Sequence, residues 1–109
     1  MAASWEDLER LELAVGRVTA VDPFPEARRP AWKLTVDFGR RGVRRSSAQL
    51  THYAREELVG REVVCVLGFA PKRIAGFESE VLVLGALSGE HGVVLLRPDR
   101  AVEPGSAVG

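Results

Sequence analysis

The chain has 109 residues, which is enough for one domain built on a single modest core. Fifteen Lys and Arg residues balance fifteen Asp and Glu residues, so no global positive field attracts nucleic acid, although local patches remain possible. No apolar run approaches the roughly 20 residues of a membrane span, so we expect no membrane insertion. The early acids Glu6 and Asp7 predict that no signal peptide is present.

The single cysteine indicates the redox state of the cellular compartment in which the protein works. Cys65 lies inside the apolar run of residues 63–67, which predicts a reduced, buried packing residue and excludes an internal disulfide. Free thiols are typical of reducing compartments. We therefore predict a single domain over residues 1–109 that works in the cytoplasm.

The first third of the chain predicts a short helix followed by two strands. Ser4 and Asp7 form a capping-box pattern ahead of a helix over residues 5–11. Residues 13–21 predict a strand in which Gly16 marks a bulge or sharp bend. After a proline-rich loop, apolar and polar residues alternate over residues 32–38, which is typical of a half-buried strand.

The rest of the chain continues this pattern of short strands punctuated by glycine and proline. We predict strands at 43–50, 62–67, 81–84 and 93–96, a helical turn at 53–59, and a turn-rich tail at 98–109. Glycine-bent strands in so short a chain favour a small closed barrel. The predicted fold class is therefore all-β, a closed barrel with a short N-terminal helix and a C-terminal extension.

The stretch of residues 69–87 stands at the centre of the functional interpretation. Lys72 and Arg73 follow Pro71 in a predicted rigid basic turn, in which Gly76 allows a tight bend. The apolar run 81–84 predicts a buried strand after it. Polar groups held by rigid backbone suit a recognition site. The alternative is a basic turn that only links two strands, with Glu78 and Glu80 balancing the two cations.

Motifs for catalysis are missing from the sequence. His52 and His91 do not stand in a metal-ligand spacing with the cysteine. Ser46 and Ser47 have no histidine at a readable spacing, and no phosphate-cradling loop is present. We therefore predict that the protein is not an enzyme and uses neither a metal nor another cofactor.

Several ordered motifs resemble one known family. The segments are residues 24–28, 46–50, 57–64 and 71–82, within a match from residue 11 to residue 105. Together they resemble the tRNA-binding domain family, an oligonucleotide/oligosaccharide-binding (OB) barrel that is also appended to methionyl- and phenylalanyl-tRNA synthetases. Within that family the chain resembles the small stand-alone CsaA-type proteins, described as export-related chaperones. The resemblance implies a barrel core at about residues 12–97.

The chain departs from the synthetase-appended pattern at two places. Gly68, Phe69 and Ala70 stand where those relatives typically have Asn-Leu-Lys, and Val81-Leu82 replaces their Gly-Met. An amide and a cation are lost, while the Lys72-Arg73 pair is kept. This difference implies weaker nucleic-acid binding and an apolar ligand such as an unfolded peptide.

Two functions follow from the resemblance. The first is a homodimeric chaperone that binds unfolded or precursor polypeptides for secretion, with the secretion ATPase as a candidate partner and flanks 1–11 and 98–109 at the dimer interface. The alternative is a structure-specific tRNA-binding protein, whose cations hold phosphates with salt-sensitive affinity. The residues expected for peptide binding are Lys72, Arg73, Ser79, Glu80, Phe69, Phe77 and Arg44, and those for RNA are Arg40, Arg41, Arg44, Arg45, Lys72 and Arg73.

Overall fold

A computed structural model describes all 109 residues and shows two short helices and nine strands. The helices are α1 (Trp5–Leu11) and α2 (Arg55–Leu58), and a 3-10 turn covers Gly39–Arg41. The strands are β1 (Leu13–Pro23), β2 (Trp32–Asp37), β3 (Val43–Ala48), β4 (Glu62–Val66), β5 (Lys72–Ile74), β6 (Phe77–Ser79), β7 (Leu82–Val83), β8 (Gly85–Ser88) and β9 (Gly92–Leu95). The longest helix has seven residues, and no helix has the length and apolar character to cross a membrane.

Five strands form one antiparallel sheet in the order β3-β2-β1-β4-β7, and two hairpins, β5-β6 and β8-β9, flank it. The sheet curls until its β3 edge meets the segment after β6. There the Glu80 N–H donates to the Arg45 carbonyl at 2.8 Å, and the buried Ser46 hydroxyl donates to the Val81 carbonyl at 2.9 Å. These contacts make a nearly closed barrel, which confirms the predicted architecture.

The core fills the inside of this barrel with alternate residues of the strands. Leu34, Val36 and Phe38 are fully buried, as the alternation around β2 predicts. Cys65 is buried in the same cluster, and burial raises the pKa of its thiol to about 12. The prediction that Cys65 is a packing residue is therefore confirmed.

Gly16 has a different role from the one its pattern predicts. The irregularity in β1 lies between Val18 and Ala20, not at Gly16. A Cβ on Gly16 would lie 2.5 Å from Val36 Cγ1 and 2.6 Å from the Phe38 ring. Glycine is required here because two core side chains occupy the space that a larger residue needs.

Both ends of the chain attach to the barrel. The predicted capping box is present, because Ser4 Oγ accepts from the Asp7 N–H and the Asp7 carboxylate accepts from the Ser4 N–H. These bonds, with a smaller contribution from Arg10, lower the pKa of Asp7. The tail runs beside the start of β1, where Ala14 bridges Ala107, so the C-terminal extension completes the sheet within its own chain.

Two predictions in the central stretch are wrong. Lys72 and Arg73 lie in strand β5, and the turn is formed by Ala75 and Gly76 at φ values of 46° and 81°. Positive φ at both central residues is what a two-residue type I′ hairpin loop requires. The predicted buried strand over residues 81–84 is also shorter, since β7 covers only Leu82–Val83.

Candidate nucleic-acid or peptide interface

A row of polar residues crosses four strands on the outside of the barrel. Lys33 on β2 lies opposite Ser47 on β3. The Ser47 N–H donates to Ser79 Oγ at 3.0 Å, and Ser79 on β6 lies opposite Lys72 on β5. Because opposite residues in antiparallel strands share a face, the row brings residues from distant parts of the chain side by side.

A pair of aromatic rings lies beneath this row. The rings of Phe24 and Phe77 have centroids 5.3 Å apart, and both side chains are buried in a small cluster outside the main core. The Lys33 ammonium lies 4.8 Å from the Phe24 centroid and 5.3 Å from the Phe77 centroid. The Arg45 guanidinium carbon lies 4.5 Å from the Phe77 centroid. Both cations are therefore within the range of cation–π attraction.

The register of the β5-β6 hairpin decides which basic residue joins this face. Phe77 and Ser79 are two residues apart on β6 and share a side, and Lys72 lies opposite Ser79. Arg73 lies opposite Glu78, and both therefore point to the other side of the hairpin. We define the cationic face as Lys33, Arg45 and Lys72 with Phe77 and Ser79.

The cations of this face form no ion pair within 4.0 Å, although Asp22 on β1 lies opposite Lys33. The three ion pairs in the structure are all between near neighbours in sequence and lie elsewhere: Asp7 with Arg10, Glu90 with His91, and Asp99 with Arg100. Glu80 accepts from the Arg45 backbone N–H at 3.0 Å, and neither Glu78 nor Glu80 pairs with Lys72 or Arg73. Glu78 lies opposite Arg73, in agreement with the expected charge balance, whereas no acid lies opposite Lys72. The free positive charges can bind an anionic group.

Ser79 and Glu80 attach the hairpin to the barrel. Both side chains accept backbone N–H groups of β3, from Ser47 and Arg45 respectively. These bonds fix the distance between β6 and β3, and so they position Phe77 under the two cations. Their contribution to the face is therefore positioning, in addition to any direct contact with a ligand.

The remaining predicted arginines lie at another end of β3. Arg41 Nε donates to the Gly105 carbonyl of the tail at 3.0 Å, and Arg44 Nη2 donates to the Arg41 carbonyl at 3.1 Å. Arg44 lies opposite Val36, which points into the core, whereas its neighbour Arg45 points outward. Together with the exposed Arg40, these two arginines form a separate basic group beside a groove of about 460 Å³.

The two predicted phenylalanines have different environments. Phe77 is only 6% exposed and supports the cationic face from below, whereas Phe69 is 50% exposed. Leu82, which is 47% exposed, lies opposite Val66, so Phe69 and Leu82 leave apolar surface at the same end of β4. The sequence interpretation missed Phe24 and Lys33. The signal for Lys33 was its outward position in the alternating strand β2, which is shared by many solvated lysines.

Comparisons with known proteins identify the class. The model of the family described as "Putative tRNA binding domain" matches residues 13–107. The chain therefore belongs to the tRNA-binding domain family, and its barrel has the OB fold of that family, as the sequence motifs indicate.

Two solved structures of CsaA proteins are similar to this chain over almost its full length. The crystal structure of the CsaA chaperone protein of Picrophilus torridus has a TM-score of 0.93 and 43% identity, covering 99% of this chain and 100% of that chain. That of chaperone CsaA from Bacillus anthracis has a TM-score of 0.91 and 44% identity, covering 100% of both chains. The resemblance to CsaA-type proteins is therefore confirmed.

Curated relatives include much longer enzymes. The methionine–tRNA ligase of Methanosarcina acetivorans is 34% identical over 105 residues, which are 95% of this chain but only 15% of the ligase. The ligase of Thermococcus kodakarensis is 37% identical over 106 residues, 96% of this chain and 14% of the ligase. The chain thus spans about one seventh of the length of these relatives.

Proposed function

We propose that this protein is a cytoplasmic, CsaA-type chaperone that binds unfolded or precursor polypeptides in support of secretion. The observation that carries the proposal is the full-length likeness to two CsaA chaperones, since the likeness to methionine–tRNA ligases involves only one segment of those enzymes. We propose binding without catalysis, because the cationic face offers positive charge above buried aromatic rings but no nucleophile paired with a base.

The surface chemistry of the site supports polypeptide binding. An unfolded chain presents apolar side chains and carboxylates together. Phe69 and Leu82 offer apolar surface near the hairpin, and Lys33 and Arg45 offer unpaired positive charge. Such a surface favours peptides that combine apolar and acidic residues, because basic segments would be repelled by the cationic face.

A homodimer is part of this proposal. The helix α1 has no buried residue, and Trp5 on it is 84% exposed. An exposed Trp of this kind is typical of protein interfaces. Two faces in one dimer would hold one extended polypeptide with higher avidity than a single face. The secretion ATPase is the proposed recipient of such a client.

The unpaired cations favour a second candidate, a structure-specific tRNA-binding function. Lys33, Arg45 and Lys72 can each contact a phosphate, and a basic face on a barrel of this type is typical of sites for single-stranded or looped RNA. The family description supports the same candidate. Peptide and tRNA would then compete for one face.

The test is a pair of binding titrations that compare two ligands of the cationic face. A fluorescent unfolded precursor peptide and bulk tRNA are titrated separately with the wild-type protein and with Lys33→Met, and Arg100→Gln serves as a control that removes a cation from an exposed pair elsewhere. Peptide binding that weakens with Lys33→Met but not with Arg100→Gln, and that other unfolded chains displace, supports the chaperone. If only tRNA binds, the chaperone proposal is wrong and the second candidate replaces it.

A further inference from the structure

A second polar groove lies apart from the cationic face. It has a volume of about 390 Å³, and three arginines line it: Arg17 from β1, Arg61 at the start of β4 and Arg97 after β9. These residues are far apart in sequence. Their convergence is therefore a property of the fold: the motif segment 57–64 supplies one wall, and Arg17 and Arg97 come from elsewhere in the chain.

Two acidic residues, Glu57 and Glu62, line this groove together with the arginines, and Glu62 lies opposite Arg17 across β1 and β4. Glu57 accepts from the Ala54 N–H at 2.8 Å, and Glu62 accepts from the Val102 N–H at 3.2 Å. Asp37, which lies opposite Arg17, accepts from the Gly39 N–H at 2.9 Å. Each carboxylate thus stabilises a turn or a cap, and none forms an ion pair with a groove arginine.

The arginines themselves are only partly satisfied. Arg17 Nη1 donates to the Gly60 carbonyl at 3.3 Å, a long bond that leaves its other donors free. The Arg61 guanidinium lies 5.2 Å from the centroid of the Tyr53 ring. That ring is fixed because its hydroxyl accepts the Leu95 N–H at 3.1 Å. The Arg61 guanidinium is consequently held in place before any ligand arrives.

We propose that this groove is a phosphate-binding site. Guanidinium groups present forked donors that match phosphate oxygens, and several of them converging on one groove can share a doubly charged anion. Gly60 contributes open space, because a Cβ on it would meet no atom within 4 Å. The phosphate can belong to a free ligand or to the backbone of an RNA. Neither source depends on the chaperone proposal.

The direct test uses inorganic pyrophosphate in isothermal titration calorimetry at about 50 mM salt, where electrostatic contacts are weakly screened. We expect binding with a Kd below about 1 mM. The double variant Arg17→Gln/Arg97→Gln should weaken it at least about tenfold, because two charge-assisted contacts are lost. Arg10→Gln, which removes an exposed cation from α1, should leave it unchanged.

A loss of binding in the double variant could also come from misfolding, so the test includes a variant that is expected to bind pyrophosphate more tightly. Glu57→Gln keeps an oxygen that can accept the Ala54 N–H but removes a negative charge from the groove. Pyrophosphate should then bind about tenfold more tightly, as expected for removing one charge that repels a doubly charged anion at about 6 Å in water. No detectable heat with the wild-type protein, or equal affinities for wild type, Glu57→Gln and the double variant, would overturn the proposal.

A tRNA titration separates the two sources of phosphate. If the groove binds RNA backbone, the double variant loses tRNA affinity and pyrophosphate competes with tRNA. If it binds a free phosphorylated ligand, the double variant loses pyrophosphate but binds tRNA like the wild type. Lys33→Met should leave unchanged the part of pyrophosphate binding that the double variant abolishes. Binding that is lost in Lys33→Met but kept in the double variant belongs to the cationic face, so the two sites are distinguishable.

Discussion

Replacing Lys33 by Met removes one charge from the cationic face and little else. Met has a similar length and an apolar stem, so it can continue to cover the rings of Phe24 and Phe77, which lie 4.8 and 5.3 Å from the Lys33 ammonium. No ion pair is broken, because Lys33 has none. Any change in binding therefore reports the lost charge.

The magnitude follows from counterion release. For single-stranded or looped RNA, each phosphate contact contributes about −0.7 to the slope of log affinity against log salt concentration. Lys33, Arg45 and Lys72 together predict a slope of about −2.1, or roughly an 18-fold loss of affinity over a fourfold rise in salt. With Met at position 33 the slope falls to about −1.4, which is roughly a sevenfold loss.

The assay is fluorescence anisotropy with labelled tRNA at four salt concentrations. Wild type, Lys33→Met and Arg100→Gln are compared, and thermal unfolding checks that each variant is folded. A slope for Lys33→Met equal to that of the wild type would show that Lys33 does not contact phosphate. The assignment of RNA to the cationic face would then be wrong.

Four further predictions concern stability, measured by urea unfolding. Gly16→Ala should cost about 1–3 kcal/mol because its Cβ meets Val36 and Phe38, whereas Gly89→Ala, with no atom within 4 Å, should be neutral or slightly stabilising. Ser46→Ala leaves the Val81 carbonyl unpaired and should cost about 1–3 kcal/mol; an unchanged midpoint would argue against that bond. Ala75→Asn should stabilise the hairpin by a few tenths of a kcal/mol, up to about 1, because Asn tolerates positive φ better. The Cys65 thiol has a pKa of about 12 in the folded protein and 9.0 in the unfolded chain, so it ionises first in the unfolded chain. Its contribution to the free energy of unfolding should therefore be constant below pH 9.0 and fall above it, by about 1.4 kcal/mol at pH 10. Cys65→Ala should lack this part of the pH dependence.

Much of the barrel could be predicted because strand alternation is a local property. The apolar residues of β2 point inward, and the flanking Lys33, Thr35 and Asp37 point outward, whatever the rest of the chain does. The capping box at Ser4 depends on residues three apart, so it could also be predicted from the sequence. Ordered family motifs added the OB architecture, which composition alone would not have distinguished from a sandwich.

The strand errors have a common cause. Pro71 ahead of Lys72 and Arg73 predicts a turn at these two cations, with a tight bend at Gly76. In the structure the two cations lie in β5 and the turn is confined to Ala75 and Gly76, and Ala75 at a φ of 46° is a residue that seldom adopts this conformation. Pairing of β5 with β6 overrides that local preference. The cost of one positive φ is small compared with the hairpin contacts it permits.

The sequence by itself determined that this chain forms a small β barrel with a local basic segment, because periodicity, caps and motifs act over a few residues. Only the tertiary structure decided which cations meet. Adjacent residues on a strand point to opposite faces, so Arg44 separates from Arg45 and Lys72 from Arg73. Lys33 joins the site through bonds between β3 and β6 that link residues 32 to 35 positions apart. Such register is set by packing across the barrel, which no short stretch of sequence contains.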